Sequence, residues 1–131
     1  MEKETIYTAL LKAQKAFPNI KKDSANPFFK SKYASLDAIL EVVTPILHEN
    51  DLFIAQFPIN AENRVGVYTS IYYKDGTKID GSFTLTLAKD DPQGAGSAIT
   101  YARRYALVAM LSLNVEDDDD ANIASTPIIR R

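Results

Sequence analysis

The chain contains no cysteine. Disulfides, thiolate catalysis and thiolate metal sites are therefore excluded, and the absence suits a reducing compartment. Histidine occurs once, as His48. Without a cysteine or a serine motif beside it, one histidine does not make a catalytic site. Long apolar runs are also lacking. The best window, Ala106–Val115, is interrupted by Ser112 and Asn114 and falls short of the roughly 18 residues a membrane span needs. The start, MEKETIYTALLKAQ, carries acids and no continuous apolar run, so no secretory signal is expected.

What remains is ordinary for a globular protein. The 131 residues fit one domain with one core. Apolar residues make up 46% and charged residues 24%. The formal net charge of −2 is an average over unlike parts. Glu116–Asp120 supplies five of the 17 acids and Arg130–Arg131 two of the 15 bases, which leaves residues 1–115 with 13 bases and 12 acids. Within that near-neutral body, residues 12–32 carry Lys12, Lys15, Lys21, Lys22, Lys30 and Lys32 against Asp23 alone. Such a strip reads either as a surface for an anionic partner or as a solvated lysine face.

Hydrophobic periodicity orders the elements as α-α-β-β-β-α. Ile6, Leu10, Ala13 and Phe17 recur at helical spacing over residues 3–17, and Pro18 stops the helix. Residues 19–34 show no period and read as a long loop. A second helix runs from Leu36 to Glu49, capped by Ser35; Pro45 should kink or split it. His48 lies near its C-terminus, where a cation is favourable. Strands are expected over Leu52–Pro58, Arg64–Lys74 and Lys78–Ala88, the last two joined by the hairpin signal Asp75-Gly76. Val65, Val67, Thr69, Ile71 and Tyr73 share one face of the second strand; Ile79, Gly81, Phe83, Leu85 and Leu87 share one face of the third. The result is an α+β fold whose three-stranded antiparallel sheet is covered on one side. A last helix, from about Gln93 or Ala95 to Leu113, should lie across that face with Ala98, Ala102, Tyr105, Ala106 and Ala109 on neighbouring stripes. Residues 1–115 form the domain and 116–131 an acidic, flexible tail.

Four motifs bear on chemistry. In DPQGAGSAITYARRY, Gly94 and Gly96 match the start of a dinucleotide fingerprint, but Ile99 stands where its third glycine belongs, and no lysine follows Gly96 as a phosphate loop requires. The glycines then either offer backbone N–H groups to a phosphate at a helix start or simply permit a tight turn. Arg103 and Arg104 lie about 100° apart on the helix; they suit phosphate contact, or salt bridges to Asp90, Asp91 or a neighbouring subunit. In NPFFKSKYASL, Lys30 and Lys32 alternate with Phe28, Phe29 and Tyr33. Lysines neutralise phosphates and aromatic faces stack on unpaired bases; the other reading anchors the aromatics in the core. Asp90 and Asp91 lack a third metal ligand, and Glu116–Asp120 lacks the glycine and distal glutamate of a calcium loop.

Two of these segments together resemble a known family. NPFFKSKYASLDAILEVVTPILHEND, residues 26–51, resembles the N-terminal motif of the ERF family of phage single-strand annealing proteins. DPQGAGSAITYARRYALVAMLSL, residues 91–113, resembles that family's glycine-rich segment and helix, and EDDDDAN follows directly. The resemblance spans roughly residues 4–122. It implies a Rad-type annealing fold with a β-β-β-α core, preceded here by two helices. It also implies ATP-independent binding of single-stranded DNA, annealing of complementary strands in phage recombination, and homo-oligomeric rings or filaments. Lys30, Lys32, Tyr33, Arg103 and Arg104 are the expected DNA contacts; Gly94 and Gly96 shape the turn beside them. The resemblance implies no catalytic residue, metal or cofactor, the cytoplasm of a bacterial host as the location, and host or phage recombination proteins as further partners. Family members usually continue into a C-terminal region, so the chain is expected to be either a truncated piece or a short natural member.

Two other classes stay open on sequence. A nuclease or nucleotidyl transferase would use Asp90, Asp91 and the acidic run with Mg²⁺. An oligomeric scaffold would use the basic strip to bind an acidic partner without annealing.

Overall fold

The computed structural model describes residues 3–25 and 32–116. Phe28, Phe29, Lys30 and the acidic residues after Glu116 lie outside the described residues. Helix α1, Ile6–Ala16, begins at a reciprocal cap: the Thr5 N–H donates to the Thr8 hydroxyl at 2.8 Å and the Thr8 N–H donates to the Thr5 hydroxyl at 3.3 Å. Its buried side is Ile6, Ala9 and Ala13.

Helix α2 occupies Leu36–Glu49, as the caps predict. Of the two outcomes expected at Pro45, a kink or a split, the split does not occur: the helix runs through all 14 residues. The reason is position. Glu41, whose carbonyl loses its partner, and Pro45 itself are both exposed, so the orphaned carbonyl lies on the solvent side and needs no protein donor. Ile39, Val43 and Leu47 form the opposite, fully buried side.

The segment expected as loop is not wholly irregular. β1, Ile20–Lys21, and β2, Ser24–Ala25, are two-residue strands, as is β3, Lys32–Tyr33. β2 pairs antiparallel with β3. β1 pairs in parallel with β7, Val115–Glu116, far along the chain.

The main sheet is antiparallel, ordered β4-β5-β6, with β4 Leu52–Ala61, β5 Arg64–Tyr73 and β6 Lys78–Thr86. β4 passes the expected stop at Pro58. It is an edge strand, where a missing N–H need not break a ladder. Leu52 pairs with Tyr73 and Ala61 with Arg64. Between β5 and β6 the chain reverses through Asp75-Gly76, where Gly76 takes φ +92. On β5, Val65, Val67, Thr69, Ile71 and Tyr73 are all buried on the helix-covered face. The other face carries Phe53 and Phe57, each about half exposed, with the Phe53 ring stacked on Tyr72 at 5.0 Å.

Helix α3, Pro92–Met110, crosses the covered face and sits chiefly on β5. Ala98, Ala102 and Ala106 recur every fourth residue and are buried. Ala102 and Ala106 pack on Val67, flanked by Phe83, Leu85 and Ile99. Tyr105 and Ala109, expected on neighbouring stripes of that face, are exposed. The helix stops before Leu113 because Ser112 turns left-handed at φ 54. There the Leu113 N–H bonds to the Val108 carbonyl at 3.0 Å and the Ser112 N–H to Ala109 at 3.4 Å, which closes the last turn.

The alanine seam sets a sharp expectation. Ala102→Leu forces α3 off β5 and lowers stability by about 1–3 kcal/mol, measured by urea unfolding. Thr100→Ala, on the exposed side of the same helix, stays within about 0.5 kcal/mol of wild type.

Candidate nucleic-acid interface

One carboxylate positions the basic and aromatic residues of the loop. The Ser35 N–H donates to Asp23 Oδ1 at 2.8 Å and the Ser35 hydroxyl donates to Asp23 Oδ2 at 3.0 Å. The same hydroxyl accepts from the Ala38 N–H at 3.1 Å and so caps α2. The Asp23 N–H donates to the Tyr33 carbonyl at 3.0 Å. Asp23 thus ties the loop to the helix start and fixes the backbone of Tyr33 between them. The Ser35 N–H in turn holds the Asp23 carboxyl below the usual carboxylate range, against a smaller opposing effect of burial.

Tyr33, half-buried, presents its ring to Arg104 of α3, whose guanidinium carbon lies 4.2 Å from the ring centroid. Two further rings face the same guanidinium, Tyr101 at 5.0 Å and Tyr105 at 5.5 Å. Tyr101 and Tyr105 stand one helical turn apart, their centroids 4.5 Å apart and their hydroxyls hydrogen-bonded at 2.9 Å. That bond holds the Tyr101 phenol protonated above its usual range. Arg104 has no carboxylate partner among the described residues. Its charge is met by ring faces, an arrangement favourable by about 0.5–2 kcal/mol per contact according to desolvation.

Two cavities meet at this cluster. One, of about 590 Å³, lies between the start of α2 and the outer side of α3, with Ser35, Gly96, Ser97, Thr100 and Tyr101 in its walls. The other, of about 420 Å³, is walled by Lys22, Lys32, Ala34 and Tyr105. Tyr33 and Arg104 line both. Together they make a groove along α3 with a cation and aromatic rings at its middle and lysines toward one end.

The glycines differ in role. A side chain at Gly94 would run into the Lys89 carbonyl, so the close turn into α3 requires glycine there. A side chain at Gly96 would meet nothing and would project from the groove wall. One of the N–H groups that a phosphate would use at this turn is already taken. Asp91 caps α3, and its carboxylate already accepts the Gly94 N–H at 2.7 Å. Asp91 is thereby committed to structure, and among the described residues no three acids or histidines stand together as a metal site.

Arg103 and Arg104, both expected as DNA contacts, line different cavities. Arg103 turns toward β4 and donates from Nε to Gln56 Oε1 at 3.0 Å. It lines a separate cavity with residues of α2 and β4. A step of one residue rotates the side chain by about 100°, and the two arginines line cavities that share no lining residue. Neither arginine pairs with Asp90 or Asp91 among the described residues. Lys32 is exposed at the groove, Lys30 lies outside the described residues, and His48 is exposed in the last turn of α2. Tyr105 and Gln56 escaped the sequence reading as site residues. The Tyr101/Tyr105 spacing of one turn signals the first, and a polar residue between Ile54 and Pro58 on an inward strand position signals the second.

The sequence profile of the ERF superfamily matches residues 6–128, nearly the whole chain. The chain belongs to the ERF superfamily. No curated protein and no solved structure gave a match. Membership in the ERF superfamily supports a function of the recombination and strand-annealing kind, with single-stranded DNA as the implied ligand. Among the described residues, no helix is long and apolar enough to cross a membrane.

The Asp23 anchor gives a pH dependence of defined sign. Because its folded pKa is depressed, its contribution to stability is complete above the unfolded carboxylate value, about pH 4. That contribution is lost as the pH falls through the lower folded value. Asp23→Asn therefore lowers the thermal midpoint at neutral pH, and the difference from wild type closes in acid. A difference that stays constant down the acid limb contradicts the assignment. Ser35→Ala, which removes cap and anchor together, costs about 1 kcal/mol.

Proposed function

We propose that this ERF-superfamily chain binds single-stranded DNA without ATP and anneals complementary strands in phage recombination, as a homo-oligomer in the cytoplasm of a bacterial host. The observation that carries the reading is Arg104 set against Tyr33, Tyr101 and Tyr105, with Lys32 beside it, in a groove along α3. Cations and aromatic faces in one groove are what an unpaired strand requires. Lys32 and Arg104 meet phosphates, as does Lys30 of the same sequence motif. The exposed tyrosine faces receive bases.

Annealing follows from which parts of the strand are engaged. Phosphate contacts position a strand without reading it. A base stacked on a tyrosine offers its π-face and leaves its pairing edge open. Neutralised phosphates lower the repulsion that a second strand meets. Subunits joined side by side would continue the groove and hold the strand extended, so part of the ordering cost is met before pairing begins. No covalent step enters and no catalytic residue or cofactor is proposed.

The deciding assay follows two labelled complementary oligonucleotides in EDTA and without nucleotide. Wild type accelerates their annealing. Arg104→Ala and Tyr33→Ala, folded and with wild-type self-association, both weaken binding, Tyr33→Ala by about 1–3 kcal/mol for the stacked base lost. The plot of log affinity against log salt falls, and Arg104→Ala makes its slope shallower by about 0.7 for each phosphate released. Affinity independent of salt, or acceleration unchanged in both variants, refutes the groove. Self-association with no affinity for DNA would instead favour a scaffold.

A further inference from the structure

Arg103 is left unused by that groove, and its surroundings are those of a binding site. Arg103 is half-buried and its guanidinium is held in place from one side. Its Nε donates to Gln56 Oε1 at 3.0 Å. Gln56 is itself fixed, because its amide nitrogen donates to the fully buried Thr69 hydroxyl at 3.0 Å and to the Arg103 carbonyl at 3.3 Å. The two terminal nitrogens of Arg103 have no hydrogen-bond or ion-pair partner among the described residues. They belong to a residue that lines a cavity of about 150 Å³ between α2, β4 and α3, together with Thr44, His48 and Gln56. No carboxylate lines that cavity.

A half-buried arginine with two unpaired nitrogens and no counter-charge beside it among the described residues offers an anion two oriented donors. Here the donors are oriented in advance by the Gln56 lock, and the wall adds a hydroxyl and an imidazole. The planar fork of an arginine matches two oxygens of one tetrahedral oxyanion. We propose that this cavity is an oxyanion site that takes a phosphate group, held by Arg103 with Thr44 and His48 at its sides. The group could be supplied as free phosphate or as a phosphodiester of a nucleic-acid strand. The inference does not rest on the Tyr33–Arg104 groove, since the two cavities share no lining residue.

The test uses the whole chain and thermal unfolding, with sodium phosphate titrated against sodium chloride at equal ionic strength. Phosphate should raise the midpoint saturably in wild type, as expected when a ligand binds only the folded state. Arg104→Ala should keep that response. Arg103→Gln should abolish it, and Arg103→Lys, which keeps the charge and loses the fork, should weaken phosphate binding by about tenfold. Thr44→Val leaves the Arg103–Gln56 bond in place and should weaken phosphate severalfold, so the proposal stays testable if Arg103→Gln fails to fold. Equal midpoints in phosphate and chloride overturn the site, as does an undiminished response in Arg103→Lys and Thr44→Val. Binding of an oligothymidine to Arg104→Ala then separates the sources. Residual affinity that phosphate competes away, and that Arg103→Lys reduces, marks a phosphodiester; no residual affinity with the phosphate response intact marks free phosphate. Loss of annealing in Arg104→Ala with the phosphate response retained separates the two sites from each other.

Discussion

The close seat of α3 on β5 is the constraint on which the other features depend. Ala98, Ala102 and Ala106 leave no side chain long enough to hold the helix away from the sheet, and Ala102 is fully buried against it. With the seam fixed, every other residue of the helix has a fixed bearing. Arg103 falls toward β4, where Gln56 meets it. Arg104, Tyr101 and Tyr105 fall toward the loop and the outer side, where Tyr33 waits. A bulkier seam residue would displace both arginines at once. The candidate site is thus a consequence of packing at residues that do not line its cavities.

The second determinant is the bracketing of the loop. Ile20–Lys21 is tied to Val115–Glu116, and Ser24–Ala25 to Lys32–Tyr33. Asn114 adds a side-chain bond to Asn19 at 2.9 Å, and Asn19 reaches Glu116 at 3.2 Å. Asp23 completes the bracket by fastening Ser35. Two-residue ladders contribute little energy alone, but each removes freedom from a segment that would otherwise sample many conformations. The ring of Tyr33 is held at Arg104 by this set of small restraints, because the loop has few large apolar groups of its own among the described residues.

Much of this was legible in the sequence, for identifiable reasons. The bounds of α2 follow from Ser35 and Asn50-Asp51, since caps act locally. The β5 face follows from strict alternation of Val65, Val67, Thr69, Ile71 and Tyr73. Local rules fail where the deciding partner is distant. The pairing of Ile20 with Val115 has no periodic trace, and Pro45 could be judged only once its side of α2 was seen to face solvent. The divergence of Arg103 and Arg104 is implied by helical geometry alone, but the cavity each enters depends on where α2 lies. Gln56 announces itself weakly, as one polar residue on an inward position. Its role appears only when Thr69 and Arg103 are found on either side of it.

The charge distribution shapes how the proposed groove would work. The body of the chain is close to neutral, so no strong field gathers a strand from a distance. Binding would depend on local geometry, with a few cations beside ring faces. Arg104 is suited to that task because its resting partners are π-faces and not carboxylates. Leaving a carboxylate for a phosphate would sever one charge pair to make another. Leaving a ring gives up only a cation–π contact, and the guanidinium can turn to a phosphate while the freed tyrosine accepts a base. Each such exchange would be nearly balanced, so in the proposed mechanism a single subunit would hold the strand weakly and an array would hold it through many weak contacts. A strand gripped in this way would be able to shift register against a complementary strand without dissociating, the freedom that the proposed annealing needs more than tight binding at any one subunit.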